Sequence, residues 1–221
     1  MKSRFLPFEI LHEDCDLIVI DKPAGLLTTH TKLIGRAARE AQTTAENLLN
    51  DYVRKGQARS RKRVWLVHRL DRDTSGVMMF AKTEEVAEAF RERWNELTEK
   101  TYLARVEGRL PDNCGAFESY LAENPRTMRM MSVTDPHRGK FARTEWKRLS
   151  EGRGFTLVEV KLKSGRRNQI RVHFAEAGHP VVGDEKYGAR RADRLHLHSL
   201  RLAFTHPLTG RRFEFESKGT M

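Results

Sequence analysis

Between His68 and Gly76 the chain sets an imidazole, the guanidinium groups of Arg69 and Arg72, the carboxylates of Asp71 and Asp73, and the hydroxyls of Thr74 and Ser75 in consecutive positions. A carboxylate in such company can serve as a nucleophile or a general acid or base. Asp71-Arg72-Asp73 is also a pattern that can hold a divalent cation. The ordinary reading of a loop aspartate is a turn residue accepting backbone N–H bonds. Two features weigh against it. The charges lie between apolar segments that belong in a core, and holding charge beside buried structure is costly unless it has a use. The second feature is the distant segment Ser164 to Arg171.

In Ser164-Gly165-Arg166-Arg167-Asn168-Gln169-Ile170-Arg171, Asn168 suits a helix N-cap, which puts Arg171 in the first turn, where the helix dipole disfavours a cation. An arginine there calls for an anion, either an RNA phosphate or a carboxylate such as Asp71. Ile170, Phe174 and Ala177 form the apolar stripe of this helix, with Arg171 to one side and Arg167 one turn earlier on that side.

Other chemistries are excluded by what is missing. The phosphate-cradling Gly-x-x-x-x-Gly-Lys-Ser/Thr loop, the Gly-x-Ser-x-Gly elbow and the His-Glu-x-x-His zinc helix do not occur. Gly152 and Gly154 lack the third glycine of a dinucleotide fingerprint. His196 and His198 would share a strand face, but a hydrogen-bonded structural pair explains them better than a metal site.

The elements that must position these residues follow from apolar periodicity. Leu17-Ile18-Val19-Ile20 reads as a buried strand closed by Asp21-Lys22-Pro23-Ala24-Gly25. Thr43 and Glu46 form a capping box before a helix with Leu48, Leu49, Tyr52 and Val53 on one face. Residues 55–63 form a solvated basic loop in which Gly56 ends the helical pattern and Ala58 is the largest apolar side chain. Val64 to Val67 and Val77 to Ala81 read as strands either side of Asp71. Thr83 caps a helix bearing Val86, Ala89, Phe90, Trp94 and Leu97, after which Tyr102, Ala104 and Val106 switch to period two. Residues 111–143 read as a long, partly irregular basic excursion. Strand pairs at 144–149 with 155–163 and at 200–204 with 212–215 flank the helix from Asn168 to Ala177, which Gly178 terminates. Seven or more strands against three or four helices indicate an α+β class: a mixed, largely antiparallel central sheet with flanking helices and a basic cleft, in a single domain over 1–221.

The 221 residues carry 41 Lys and Arg against 30 Asp and Glu, a formal charge of +11 that points to a polyanionic partner, nucleic acid first. Cys15 and Cys114 suggest neither a zinc cage nor a disulfide framework and fit a reducing, cytoplasmic setting. Met1 to Asp16 alternates apolar and charged residues, unlike a signal peptide, and no apolar run is long enough for a membrane span.

His68-Arg69-Leu70-Asp71-Arg72-Asp73-Thr74-Ser75-Gly76 resembles the H-R-L-D-x-x-T-S-G signature of RluA-type pseudouridine synthases. Lys100-Thr101-Tyr102 is similar to the K-x-Y element of that family. Gln169-Ile170-Arg171-Val172-His173, then Gly178-His179-Pro180 and Gly183-Asp184-x-x-Tyr187-Gly188, resemble its C-terminal motif. With Lys22-Pro23-Ala24-Gly25 and the ending Leu197 to Pro207, the likeness runs from about residue 9 to about 216. Arg167-Asn168 departs from the family's more usual Thr-His. The S4-like domain that precedes the catalytic domain in many relatives is not expected, so the catalytic domain must find its own RNA.

The resemblance implies isomerisation of a uridine in structured ribosomal or transfer RNA, without metal, redox cofactor or nucleotide, by a monomer. It makes Asp71 the catalytic carboxylate at ribose C1′. Arg171 would pair with it and Tyr102 would stack on the uracil. RNA contacts are expected from Arg69, Arg72, Lys100, Arg167 and Asn168, with backbone contacts from 55–63 and 126–143. The target must be flipped out of its stack, and Arg69 can fill the space or grip a phosphate. Two alternatives stand beside this: an RNA-binding module without catalysis, and a metal-dependent transferase built on Asp71-Arg72-Asp73.

Overall fold

The computed structural model describes residues 6–30, 42–55, 57 and 59–219. Gly56, Ala58 and the first five residues, which entered the expectations above, lie outside that set. The described residues divide into two compact units, one running up to Thr98 and including Leu202–Gly219, the other Glu99–Arg201.

In the first unit, β1 (Glu9–Glu13) pairs antiparallel with β2 (Leu17–Lys22), and β2 pairs antiparallel with β4 (Ser75–Ala81), from Leu17 opposite Ala81 to Lys22 opposite Gly76. The short β3 (Trp65–Leu66) joins the end of β4. β2 and β4 are covered on both faces, which is why they read as unbroken apolar runs rather than alternating ones. Helix α1 (Ala45–Val53) and helix α2 (Glu84–Leu97) follow β2 and β4 in the chain. Val86, Ala87 and Phe90 of α2 pack with Leu17, Val19, Val77, Met79, Leu202 and Phe204. β10 (Leu197–Thr205) contributes the last two of these and pairs with β11 (Arg212–Glu216).

Two caps can be compared with expectation. Thr83 caps α2 as expected, its hydroxyl accepting from the Val86 amide. At α1 the cap is Thr44, not Thr43, with Oγ1 accepting from the Asn47 amide. The carboxylate of Glu46 meets the Thr29 hydroxyl instead of closing a capping box. Tyr52, expected on the core face, is exposed and donates to Glu13.

The second unit is an antiparallel run of β5 (Thr98–Glu107), β9 (Phe155–Leu162), β8 (Lys140–Gly152), β6 (Cys114–Glu123) and β7 (Met130–Val133), neighbours in that order. Helix α3 (Gln169–Glu176) packs Phe174 against Phe117 and Trp146. The expected irregular excursion over 111–143 is therefore mostly sheet. Its strands are half exposed, so polar and basic residues interrupt the apolar signal, and the Asn124-Pro125 turn looks like loop sequence while closing a hairpin. Strands and helices together give the α+β class expected, and no described helix is long and apolar enough to cross a membrane.

Candidate active site

Asp71 follows β3 in the first unit, and the backbone on both sides of it is clamped. Before it, the Thr28 hydroxyl donates to the Leu70 carbonyl at 2.8 Å and accepts from the Leu70 amide at 3.3 Å. After it, the Arg72 carbonyl accepts from the Lys22 ammonium at 3.0 Å and from the Gly25 amide at 2.9 Å, while Arg72 Nε donates to the Gly25 carbonyl. Gly25 can take this part because its φ of 83° is one that glycine adopts freely. The Thr74 amide closes the turn onto the Asp71 carbonyl at 3.2 Å.

Lys22 is wholly buried at the end of β2, and its ammonium also donates to the carbonyls of Pro23 and Leu26 at 2.8 and 2.7 Å. A buried cation on three carbonyl oxygens joins the 22–26 segment to the Asp71 turn by charge-assisted bonds. His68 also acts as scaffold. Its Nε2 accepts from the Met79 amide at 3.0 Å and its ring stacks on Trp94. Between these fixed points the Asp71 side chain is half buried, whereas Arg69, Arg72 and Asp73 are exposed. Arg72 and Asp73 approach only to 4.0 Å, a surface pair of little weight. Among the described residues no three His, Cys, Asp or Glu side chains converge as metal ligands would.

The other expected residues belong to the second unit. Tyr102 lies buried in β5 opposite Val160, and Lys100 opposite Leu162. Burial, with Arg166 adding repulsion, pulls the Lys100 ammonium down to about 8. Lys100 is thus an interior lysine of β5.

Arg171 meets a carboxylate, as its place in the first turn of α3 required, and the one in this unit is Asp184. Nε reaches Oδ2 at 2.6 Å and Nη2 reaches Oδ1 at 2.7 Å, with Asp184 almost wholly buried. The Tyr187 ring lies 5.2 Å from the guanidinium carbon.

Asn168 precedes α3 but does not cap it through its side chain. Its φ of 53° is left-handed, a conformation Asn tolerates better than most residues. Its Oδ1 accepts from the Tyr187 hydroxyl at 3.1 Å. Arg167 turns away from the expected helix face to bind Glu123 at 2.8 Å and the Met128 carbonyl at 2.6 Å. His173 is buried between the hydroxyls of Ser119 and Thr144, and burial lowers its pKa. His196 contacts Asp193 at 2.9 Å, in line with a structural role.

Sequence reasoning missed the Thr28 and Lys22 clamps and the ion pair of Arg171 with Asp184. The signal for Lys22 was a lysine ending an apolar strand. Asp184 had none in local pattern, because it lies in a turn thirteen residues beyond Arg171.

Comparison with known proteins bears on these motifs. Residues 16–176 match the family model described as RNA pseudouridylate synthase. An uncharacterized RNA pseudouridine synthase of Bacillus subtilis is 34% identical over 226 residues, spanning 96% of this chain and 69% of that one. The ribosomal large subunit pseudouridine synthase D of Nitrosomonas europaea is 34% identical over 228 residues, 98% of this chain and 63% of that one. The chain thus spans about two thirds of the length of these relatives. Among solved structures, human RNA pseudouridylate synthase domain containing 4 superposes with a TM-score of 0.74 at 23% identity, covering 95% of this chain and 87% of that one, a likeness of fold. With the family model matched over most of its length, the chain belongs to the RNA pseudouridylate synthase family, isomerases that act on RNA.

Proposed function

We propose that the protein converts a specific uridine of large-subunit ribosomal RNA to pseudouridine, with Asp71 as the catalytic carboxylate. The reaction breaks the bond from ribose C1′ to uracil N1, turns the base, and joins C1′ to C5. The C5 proton is lost and N1 gains one, so the product is an isomer. The step needs a carboxylate held at C1′.

The observation that carries this reading is the clamp at Leu70 and Arg72, which holds the backbone on either side of Asp71 while leaving its side chain half buried. A loop aspartate with a merely local role has no need of a buried lysine behind it. Tyr102 is assigned to the uracil face and Arg171 to keeping an anion aimed, for which a planar guanidinium suits better than an ammonium. Arg69 and Arg72, exposed beside Asp71, are assigned to RNA phosphates, together with the basic residues of 55–63 and 126–143. The ribosomal target is favoured by the relative from Nitrosomonas europaea, whose name carries that substrate. A monomer working in the cytoplasm completes the proposal.

The test of the target is a pseudouridine map of ribosomal and transfer RNA from cells with and without the gene. Loss of one large-subunit position is expected. Loss confined to transfer RNA would contradict the ribosomal assignment, and an unchanged map would contradict the activity. An RNA-binding module without catalysis would give that unchanged map.

A further inference from the structure

The basic hairpin between β6 and β7 is tied to the helix that carries Arg171, and Tyr187 is the joint. The tyrosine has two working ends. Its ring lies under the Arg171 guanidinium, 5.2 Å from the carbon. Its hydroxyl donates to Asn168 Oδ1 at 3.1 Å and accepts from the Met130 amide, the first residue of β7, at 3.1 Å. Arg167 grips the same hairpin one step along, at Glu123 and at the Met128 carbonyl. Lys186 spans Met128 and Asn168 at 3.5 Å each. Three side chains from 167–187 thus converge on the turn that presents Arg126 and Arg129, and Asn168 joins two of them, Lys186 and Tyr187.

We propose that Tyr187 is a positioning residue that divides its work between binding and chemistry: the hydroxyl sets the hairpin that receives RNA, and the ring sets the guanidinium of Arg171. This rests on the synthase reading for its kinetic consequences. It also explains the departure at Arg167-Asn168. Asn in the left-handed conformation turns its amide oxygen toward Tyr187 instead of capping the helix, and Arg167 supplies the second anchor. A hydrogen bond in a partly buried joint is worth about tenfold in an equilibrium, and losing the stacked ring costs the guanidinium about as much.

The test compares Tyr187→Phe, which keeps the ring, with Tyr187→Leu, which keeps neither end. Tritium release from C5-labelled ribosomal RNA would be followed under single-turnover conditions. Tyr187→Phe is expected to raise the half-saturating RNA concentration about tenfold and to leave the rate at saturation within about twofold. Tyr187→Leu should lower that saturated rate by about tenfold as well. Asn168→Gly, which accepts the same φ, should reproduce Tyr187→Phe, and the two combined should be no worse than either alone.

Hydrogen exchange supplies a readout independent of activity. The Met130 amide should exchange about tenfold faster in Tyr187→Phe. Unchanged RNA affinity and unchanged Met130 exchange in Tyr187→Phe would overturn the joint. So would a saturated rate in Tyr187→Leu equal to that of Tyr187→Phe. A wild-type protein that releases no tritium but shows the Met130 effect would retain the hairpin joint and defeat the synthase reading instead.

Discussion

Arg171 and Asp184 form a two-pronged ion pair, 2.6 Å from Nε to Oδ2 and 2.7 Å from Nη2 to Oδ1, in which the arginine side chain is 12% exposed and the aspartate 1%. The fork uses one edge of the guanidinium and leaves the Nη1 side outside it. A pair this buried is costly to break from one side, because the remaining charge stays in a poorly solvated place. Asp184→Ala is expected to cost about 3 to 5 kcal/mol of stability, read by chemical denaturation. Arg171→Lys keeps the charge but not the fork, and should lose activity well beyond its loss of stability.

Gly183 makes that pair possible. Its φ is 78°, and a Cβ built there would collide with the Arg194 carbonyl oxygen, whereas the same addition at Gly188, with φ 93°, meets open space. Gly188→Ala should therefore cost only the backbone strain, about 1 to 2 kcal/mol. Gly183→Ala should cost more and also displace Asp184, so that activity falls with it. Equal losses in the two variants would contradict the close approach.

Lys22 belongs to the first unit, behind the Asp71 turn. Lys22→Met keeps the buried volume but removes three bonds to carbonyl oxygens, one of them on Arg72 beside Asp71. The expected loss of stability is about 1 to 3 kcal/mol, with at least a roughly tenfold fall in the rate at saturating RNA as the carboxylate loosens. A stable variant with the full rate would show that the clamp has no bearing on Asp71.

Lys100 gives a pH signature. Burial lowers its pKa to about 8 from the ordinary 10.5. Below pH 8 both the folded and unfolded chains carry the proton, and the folded state bears the full cost of the buried cation. Between 8 and 10.5 the unfolded chain binds more protons, so the contribution of Lys100 to stability improves as pH rises. Lys100→Met should therefore be stabilised at pH 7, by at most roughly 3 kcal/mol, and the advantage should shrink through that window. Melting curves at pH 7, 8, 9 and 10 would check this, and an advantage that grows with pH would refute it.

His173 gives the same sign of pH dependence on the acid side. Burial holds its imidazole neutral between Ser119 and Thr144, with only the Glu176 charge opposing that shift. As pH falls through the ordinary histidine range near 6.5, the unfolded chain takes up a proton that the folded one resists, so stability declines. His173→Gln should flatten the acid limb of the stability profile, and an unchanged limb would exclude the group as its source.

Much of the fold was legible because its elements announce themselves by local pattern. The strands at 17–22 and 75–81 carry the unbroken apolar runs Leu17–Ile20 and Val77–Ala81, and the helices at 84–97 and 169–176 keep helical spacing. The half-exposed strands at 114–123 and 130–133 were not legible, since their solvent face carries residues that also suit loops. Asp71 was visible as a charge lodged in apolar surroundings. What held it was not, because Thr28 and Lys22 act on it from more than forty residues away through backbone oxygens and amides, which leave no trace in side-chain pattern. Asn168 was read as a cap from its type. In the structure its left-handed backbone sends the side chain to Tyr187, a choice set by tertiary neighbours.

The role of Asp71 is tested most directly by single-turnover tritium release from C5-labelled ribosomal RNA with wild-type protein and Asp71→Asn, both in EDTA. Asn fills the same volume and accepts similar bonds, so the clamp on either side should hold and RNA binding should stay within a few-fold of wild type. Release by the wild type and none by Asp71→Asn at equal RNA occupancy is the expected result. Release that persists in Asp71→Asn would show that another group does the chemistry.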